Sequence, residues 1–222
     1  MTVKVTDLTP FVRRYFLQKQ RTWNVTIQNP PQQPNPIDDQ HYFVRQQYLD
    51  FLDREPDQGG WDYWTWQITQ CGADSACIRQ RRTDVSAAFF VENEFQQTGY
   101  FVYRFYKASY GNRPTFSQFM PLRTTLADTV DLEASKIAFA NNWTARNEFR
   151  AVYPDSLTND QFVNLLFDSA QLTPYSAERQ QAIQEMNGGK TRAQVLRDLV
   201  EIPAFTQREY NPGFVLMQYL VI

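Results

Sequence analysis

The fold of this chain is decided at residues 42–64, which read YFVRQQYLDFLDREPDQGGWDYW. The apolar residues Val44, Tyr48, Phe51 and Leu52 recur at the spacing of one helical face, so the first half predicts an amphipathic helix. A charged segment with a proline follows, and proline disfavours helical geometry in the residue before it. The stretch therefore predicts a helix, a tight turn and a second helix.

The second helix is predicted to begin just after the turn. Pro56 ends the first helix, and Asp57 can accept from the free amides of the next helix as its N-cap. Trp61, Trp64 and Ile68 then lie at i, i+3 and i+7, on one side of the second helix. We therefore expect the second helix to fold back onto the first.

Weaker copies of this stretch recur along the chain. Tyr106 and Pro114 follow Tyr48 and Pro56 by 58 residues each, which indicates an internal repeat of about 55 residues. Phenylalanines 54 and 56 residues apart close the units, at Phe95, Phe149 and Phe205. The predicted units span residues 42–95, 100–149 and 161–205, followed by a partial fourth unit at 213–222. Residues 116–126 lack a clear helical pattern.

A short local motif predicts where two helices of the third unit begin. Thr158 with Gln161, and Thr191 with Gln194, match the capping box. Gly188 and its neighbouring glycine are predicted to stop the helix between these two starts. In the first unit, the apolar positions to Val91 predict a third helix that ends near residues 94–95.

Residues 1–40 differ from the rest. Short alternations of apolar and polar residues suggest extended or β segments, and the prolines between Pro30 and Pro36 predict a semi-rigid linker. This segment has too little apolar surface to fold alone. We interpret it as an extended N-terminal arm before a helical repeat domain at 41–222.

Composition supports a helical domain. The 222 residues are 42% hydrophobic and 15% aromatic, with only 8 glycines. Scarce glycine and few long Val/Ile alternations argue against a β-sandwich. The predicted fold class is all-α, an array of about three helix-turn-helix-helix units behind the arm.

Net charge and hydropathy limit the classes of partner and the location that we expect. A net charge of −2 gives no electrostatic reason to expect nucleic acid. No apolar run approaches the roughly 20 residues that a membrane span needs. The N-terminus lacks a signal-peptide pattern, so a leader, if the protein is secreted, is absent from this chain.

The two cysteines, Cys71 and Cys77, are close together in the sequence. Five intervening residues make a small disulfide-closed loop feasible, and the alternative is two free thiols at neighbouring helix ends. A disulfide favours an oxidising compartment outside the cytoplasm.

Several short motifs resemble a known family. They are YLDFLDREPD at 48–57, the glycines at 59–60, Tyr-Trp at 63–64, QCGAD at 70–74 and Asn-Glu-Phe at 93–95. Together they resemble the bacterial domain-of-unknown-function family 4214, in its secreted and surface-protein subgroup, which is similar to the helical linker domains of phycobilisomes. The resemblance covers roughly residues 41–222 and is specific in the first unit only. It implies an all-helical, extracellular interaction module and supplies no catalytic residues.

Catalytic and metal chemistry are poorly supported. His41 is the only histidine, so a Ser-His or Cys-His system has one available base. An EF-hand counted from Asp53 places Gln58 at position six and Trp64 at position twelve, where Gly and Glu are needed. We expect no enzyme activity, no bound metal and no cofactor.

Trp66 is the candidate ligand-stacking residue. It lies about 140° around the helix from Trp61, away from the predicted core side. An exposed tryptophan can stack on a sugar ring or anchor a protein. The alternative is that Trp66 packs on a neighbouring unit.

The sequence therefore predicts a non-enzymatic structural or interaction module at or outside the cell surface. Its expected partner is another surface protein or a second copy of itself, in an oligomer or filament, and a carbohydrate- or cell-wall-binding module is the alternative. An uncapped repeat array exposes apolar area at its ends, so we expect self-association there. The expected self-association residues are Phe11, Tyr15, Trp23, Phe214, Val215, Tyr219, Leu220 and Ile222.

Overall fold

A computed structural model describes residues 35–127, 129–172 and 176–221 of this chain, without the side chains of 218–221. Its helices are α1 Gln40–Gln47, α2 Gln58–Thr69, α3 Ser75–Val91, α4 Asn93–Gln97, α5 Gly99–Tyr110, α6 Phe116–Thr124, α7 Leu132–Ala145, α8 Asn147–Val152, α9 Asn159–Ser169, α10 Ala177–Asn187, α11 Arg192–Glu201 and α12 Pro203–Val221. These ranges contain no strand, so the predicted all-α class is confirmed for the described chain.

The first helix pair forms as its sequence predicts. Val44, Tyr48, Phe51 and Leu52 are all buried. Asp57 is the N-cap of α2, and its carboxylate accepts from the Gly60 amide at 2.9 Å. The sequence did not predict that α1 continues as a π-helical turn at Tyr48–Leu52, which ends at left-handed backbone.

The order of helices repeats along the chain. Three longer helices are followed by a short one in α1–α4 and again in α5–α8, and α9–α11 are followed by α12. The third residue of each closing helix is a buried phenylalanine: Phe95, Phe149 and Phe205. The closing helix of the third set runs on through Pro212, without a break before the segment expected to open a fourth unit.

Helix α5 lies at the centre of the core. It contacts α4, α6, α9, α11 and α12, and most of its residues are buried, from Tyr100 to Phe105 without interruption. A helix that is apolar around most of its circumference is stable only when neighbours cover all its sides. Residues 99–110 therefore organise the packing of all three predicted units.

Helix termini follow the predicted capping chemistry. Both capping boxes form, at Thr158 with Gln161 and at Thr191 with Gln194. Helix α10 ends at Asn187, and Gly188 is its C-cap, as predicted.

The structure differs from the sequence analysis at three places. Residues 36–40, assigned to the extended arm, form a 3-10 turn and the start of α1, which Asp39 caps. Arg82 holds the turn by donating to the carbonyls of Ile37 and Asp38 at 2.7 and 2.8 Å. Residues 116–126 contain helix α6, which a capping box between Thr115 and Gln118 starts. Helix α3 ends at Val91 and not near residues 94–95, because a separate helix, α4, begins at Asn93, and Val91 is exposed. The rest of the predicted arm, 1–34, lies outside the described residues.

Candidate functional site

The charged turn between α1 and α2 is built around Tyr48. A Cβ atom on Gly60 would lie 2.1 Å from the Tyr48 hydroxyl oxygen, so α2 approaches this phenol as closely as it does only because residue 60 is glycine. Burial, and then the charge of Asp57, raise the pKa of Tyr48. Gly60, one of the two glycines in the motifs at 48–64, therefore has a packing role.

Arg54 ties this turn to the end of the first unit. Its Nε and Nη2 donate to the two carboxylate oxygens of Glu94 at 2.9 and 3.0 Å, and its guanidinium lies 5.2 Å from the centroid of the Tyr48 ring. The hydrogen bond to Glu94 raises the pKa of Arg54. An arginine–carboxylate pair with two hydrogen bonds fixes the relative orientation of the two side chains as well as their separation. The Arg-Glu-Pro-Asp motif and the Asn-Glu-Phe motif are thus two halves of one contact.

The outer side of α2 presents two large aromatic rings to solvent. Tyr63 is 53% exposed and Trp66 is 57% exposed, one helical turn apart. Gln67 and Gln70 lie on the same side, and the Gln70 amide donates to the Gln67 carbonyl at 3.0 Å. We call Tyr63, Trp66, Gln67 and Gln70 the aromatic face.

The other tryptophans of α2 point inward. Trp61 and Trp64 are half-buried against the core, and the Trp64 ring contacts Phe89 at 5.5 Å between centroids. Within the described residues, Trp66 contacts no other ring. More than half of Trp66 is therefore in solvent, and no ring of the described residues packs on it. Sequence reasoning missed Tyr63, although its i, i+3 spacing to Trp66 places both on one face.

A disulfide closes the loop at the end of α2. Cys71 and Cys77 are bonded, with Cα atoms 5.6 Å apart, within the usual range for a disulfide. Asp74, inside the loop, caps α3 by accepting from the amides of Ala76 and Cys77 at 2.9 and 3.1 Å. The predicted disulfide is confirmed, and it fixes the connection between α2 and α3.

The residues expected in self-association are dispersed or lie outside the described part. Phe214 packs on Phe90 of its own chain at 5.0 Å between centroids, whereas Val215 is 45% exposed. Tyr219 and Leu220 belong to α12, but their side chains are not described. Outside the described residues are Phe11, Tyr15, Trp23 and Ile222. Self-association therefore stays a prediction.

His41, the only histidine in the sequence, lies against Trp61 on the inner side of α2. The His41 ring meets Trp61 edge-on at 5.5 Å, and Trp61 donates its indole N–H to the His41 carbonyl at 3.1 Å. Within 35–127, 129–172 and 176–221, no three His, Cys, Asp or Glu side chains are placed to hold a metal ion. None of the described helices is both long and apolar enough to cross a bilayer.

Comparison with known proteins finds one family. Residues 35–99 match the family described as "Domain of unknown function (DUF4214)". The match contains α1 to α4 with the charged turn, the aromatic face and the disulfide, and it ends where α5 begins. No curated protein and no solved structure matches this chain.

Proposed function

We propose that this chain is a non-enzymatic interaction module that works at or outside the cell surface and binds through the aromatic face of α2. The observation that carries the proposal is the exposure of Tyr63 and Trp66, each more than half in solvent. Exposed aromatic rings are apolar surface that a bound ligand or partner would remove from water.

The rest of the first unit supports this role by holding α2 rigid. The Asp57 cap fixes one end of α2, and the disulfide fixes the other. Trp61 and Trp64 anchor the inner side against the core. A binding face on a rigid element loses little conformational entropy when it binds. The disulfide also supports a location in an oxidising compartment, where such bonds persist.

We propose carbohydrate or cell-wall material as one ligand class. Sugar rings stack on aromatic side chains, and amides beside the rings can bond to hydroxyl groups. Gln67 and Gln70 place amides beside Tyr63 and Trp66. The other ligand class is a second protein, including another copy of this chain.

Retention on cell-wall polysaccharide tests the first class. We expect the intact chain to be retained and Trp66→Ala to lose retention. Phe116→Ala is the matched control, because Phe116 is also an exposed aromatic residue, 50% in solvent, but lies on α6. Equal loss in both variants would show that retention is not specific to the aromatic face.

Light scattering tests whether the partner is a second copy of this chain. The intact protein and Trp66→Ala are compared over a range of concentrations, with Val215→Ser as a probe of the exposed residue on α12. A concentration-dependent mass increase that either variant removes assigns the self-contact to that helix. A monomer at every concentration, in the intact chain, excludes self-association.

A further inference from the structure

A small cleft lies on the side of α2 turned towards α3. Its volume is about 160 Å³, and its walls are Tyr48, Leu52, Arg54, Trp64, Ala88, Phe89, Glu92 and Glu94. At roughly 30 Å³ for each heavy atom, the cleft has room for about five of them. It is separate from the aromatic face, although the Tyr63 and Trp64 rings touch at 4.9 Å between centroids.

The floor of the cleft is apolar and aromatic. Tyr48, Leu52 and Phe89 are almost completely buried, and the half-buried Trp64 ring forms one wall. These side chains suit a hydrocarbon stem, which they would remove from water.

The rim of the cleft carries an excess of negative charge. Arg54 is the only cation among the lining residues, and it pairs with Glu94 and lies 3.9 Å from Asp57. Glu92 is exposed, and within the described part of the chain its carboxylate has no hydrogen-bond or ion-pair partner. An incoming cation therefore meets an unpaired carboxylate at the rim.

From this combination we infer that the cleft binds the side chain of a lysine on a partner protein. Four methylenes and an ammonium group are five heavy atoms, with the stem on the apolar floor and the charge at Glu92. An amino sugar is a poorer match, because its ring hydroxyls would lose water against Leu52, Ala88 and Phe89 without a replacement hydrogen bond.

Calorimetry on the full chain tests this inference with Nα-acetyl-lysine methylamide as the probe. We expect saturable binding that disappears for the Nε-acetylated analogue, which keeps the stem and lacks the charge. Glu92→Gln should weaken binding by about twofold to fivefold, the upper range for one exposed ion pair. Glu178→Gln, an exposed glutamate in the first turn of α10, is the matched control and should leave binding unchanged.

A second variant tests the cleft by filling it. Ala88→Leu adds bulk to a half-buried wall residue on α3, and circular dichroism reports whether the variant is folded. A folded Ala88→Leu chain that still binds the probe overturns the inference. So does equal binding of both lysine derivatives, an unchanged affinity in Glu92→Gln, tighter binding of glucosamine, or no saturable binding at all.

This inference is independent of the proposed role of the aromatic face. Trp66→Ala should leave binding of the lysine probe intact, because Trp66 does not line the cleft. A failure of cell-wall retention therefore does not argue against the lysine site. An absence of lysine binding likewise does not argue against the aromatic face.

Discussion

At the scale of single residues, two adjacent glycines have different roles. A Cβ on Gly60 would overlap the Tyr48 hydroxyl, whereas a Cβ on Gly59 would meet only an Asp57 carboxylate oxygen at 3.5 Å. Tyr48 cannot retreat easily, because its ring is buried and meets Phe89 edge-on at 4.9 Å between centroids. The sequence presents the two glycines as equivalent, and only the packing distinguishes them.

We predict that Gly60→Ala lowers the free energy of unfolding by about 1–3 kcal/mol, the usual range for overpacking. Gly59→Ala is the control and should be neutral or stabilising by up to about 1 kcal/mol, because alanine favours a helix over glycine. Urea denaturation of the two variants measures both values. Equal effects would mean that the Tyr48 ring gives way freely.

The aromatic face also depends on single residues, and the sequence predicted the position of Trp66 on α2 but not its exposure. Helical spacing placed Trp66 away from Trp61, but periodicity alone does not say whether a neighbouring helix covers that side. The answer depends on where α3 and α5 lie, which is a property of the whole packing. The Arg54–Glu94 pair, 40 residues apart, was missed for the same reason.

At the scale of elements, local chemistry predicted several helix boundaries. Asp57, Thr158 and Thr191 cap helices where the sequence places them, because capping depends on neighbouring residues only. The apolar pattern at 116–126 is weak, so the sequence did not predict α6. Its helical start rests on one capping box, and Pro121 inside it argues against a helix by composition.

The disulfide is the covalent link between α2 and α3. Replacing Cys71 and Cys77 by serine removes the restriction on the unfolded chain, and we predict a loss of roughly 2 kcal/mol in unfolding free energy for so short a loop. Urea denaturation of the double variant, beside the intact chain with and without reductant, measures the loss. Because α2 keeps its Asp57 cap, binding through the aromatic face should weaken less than stability. An unchanged stability would mean that the loop is held by its hydrogen bonds alone.

At the scale of the whole molecule, buried tyrosines around α5 connect the units. The Tyr100 hydroxyl donates to the Thr206 carbonyl at 2.6 Å, and the Tyr153 hydroxyl donates to the Ser109 carbonyl at 2.7 Å. Burial raises the pKa of Tyr100 and of Tyr153 to about 12 in each case. Their ionised forms are therefore poorly compatible with the folded chain.

We predict unfolding at alkaline pH. Unfolded tyrosine ionises near pH 10, so the stability that these groups contribute is fully present below pH 10 and is lost as pH rises towards about 12. The part of the tyrosinate absorbance that Tyr100→Phe removes should change together with circular dichroism in this range. Tyr100→Phe should reduce the loss of stability with pH, whereas Tyr42→Phe, an exposed residue, should not. If the part of the tyrosinate signal that Tyr100→Phe removes appeared well before unfolding, the assignment of Tyr100 as buried would be contradicted.

The central claim is that the aromatic face of α2 is the surface that this chain uses for binding. Hydroxyl-radical footprinting of the chain with bound cell-wall material or a second copy, compared with the free chain, tests it for either class of partner. We expect oxidation of Tyr63 and Trp66 to fall on binding and oxidation of Phe116 to stay unchanged. Full oxidation of Tyr63 and Trp66 in the bound chain, with protection of Phe116 instead, would contradict it.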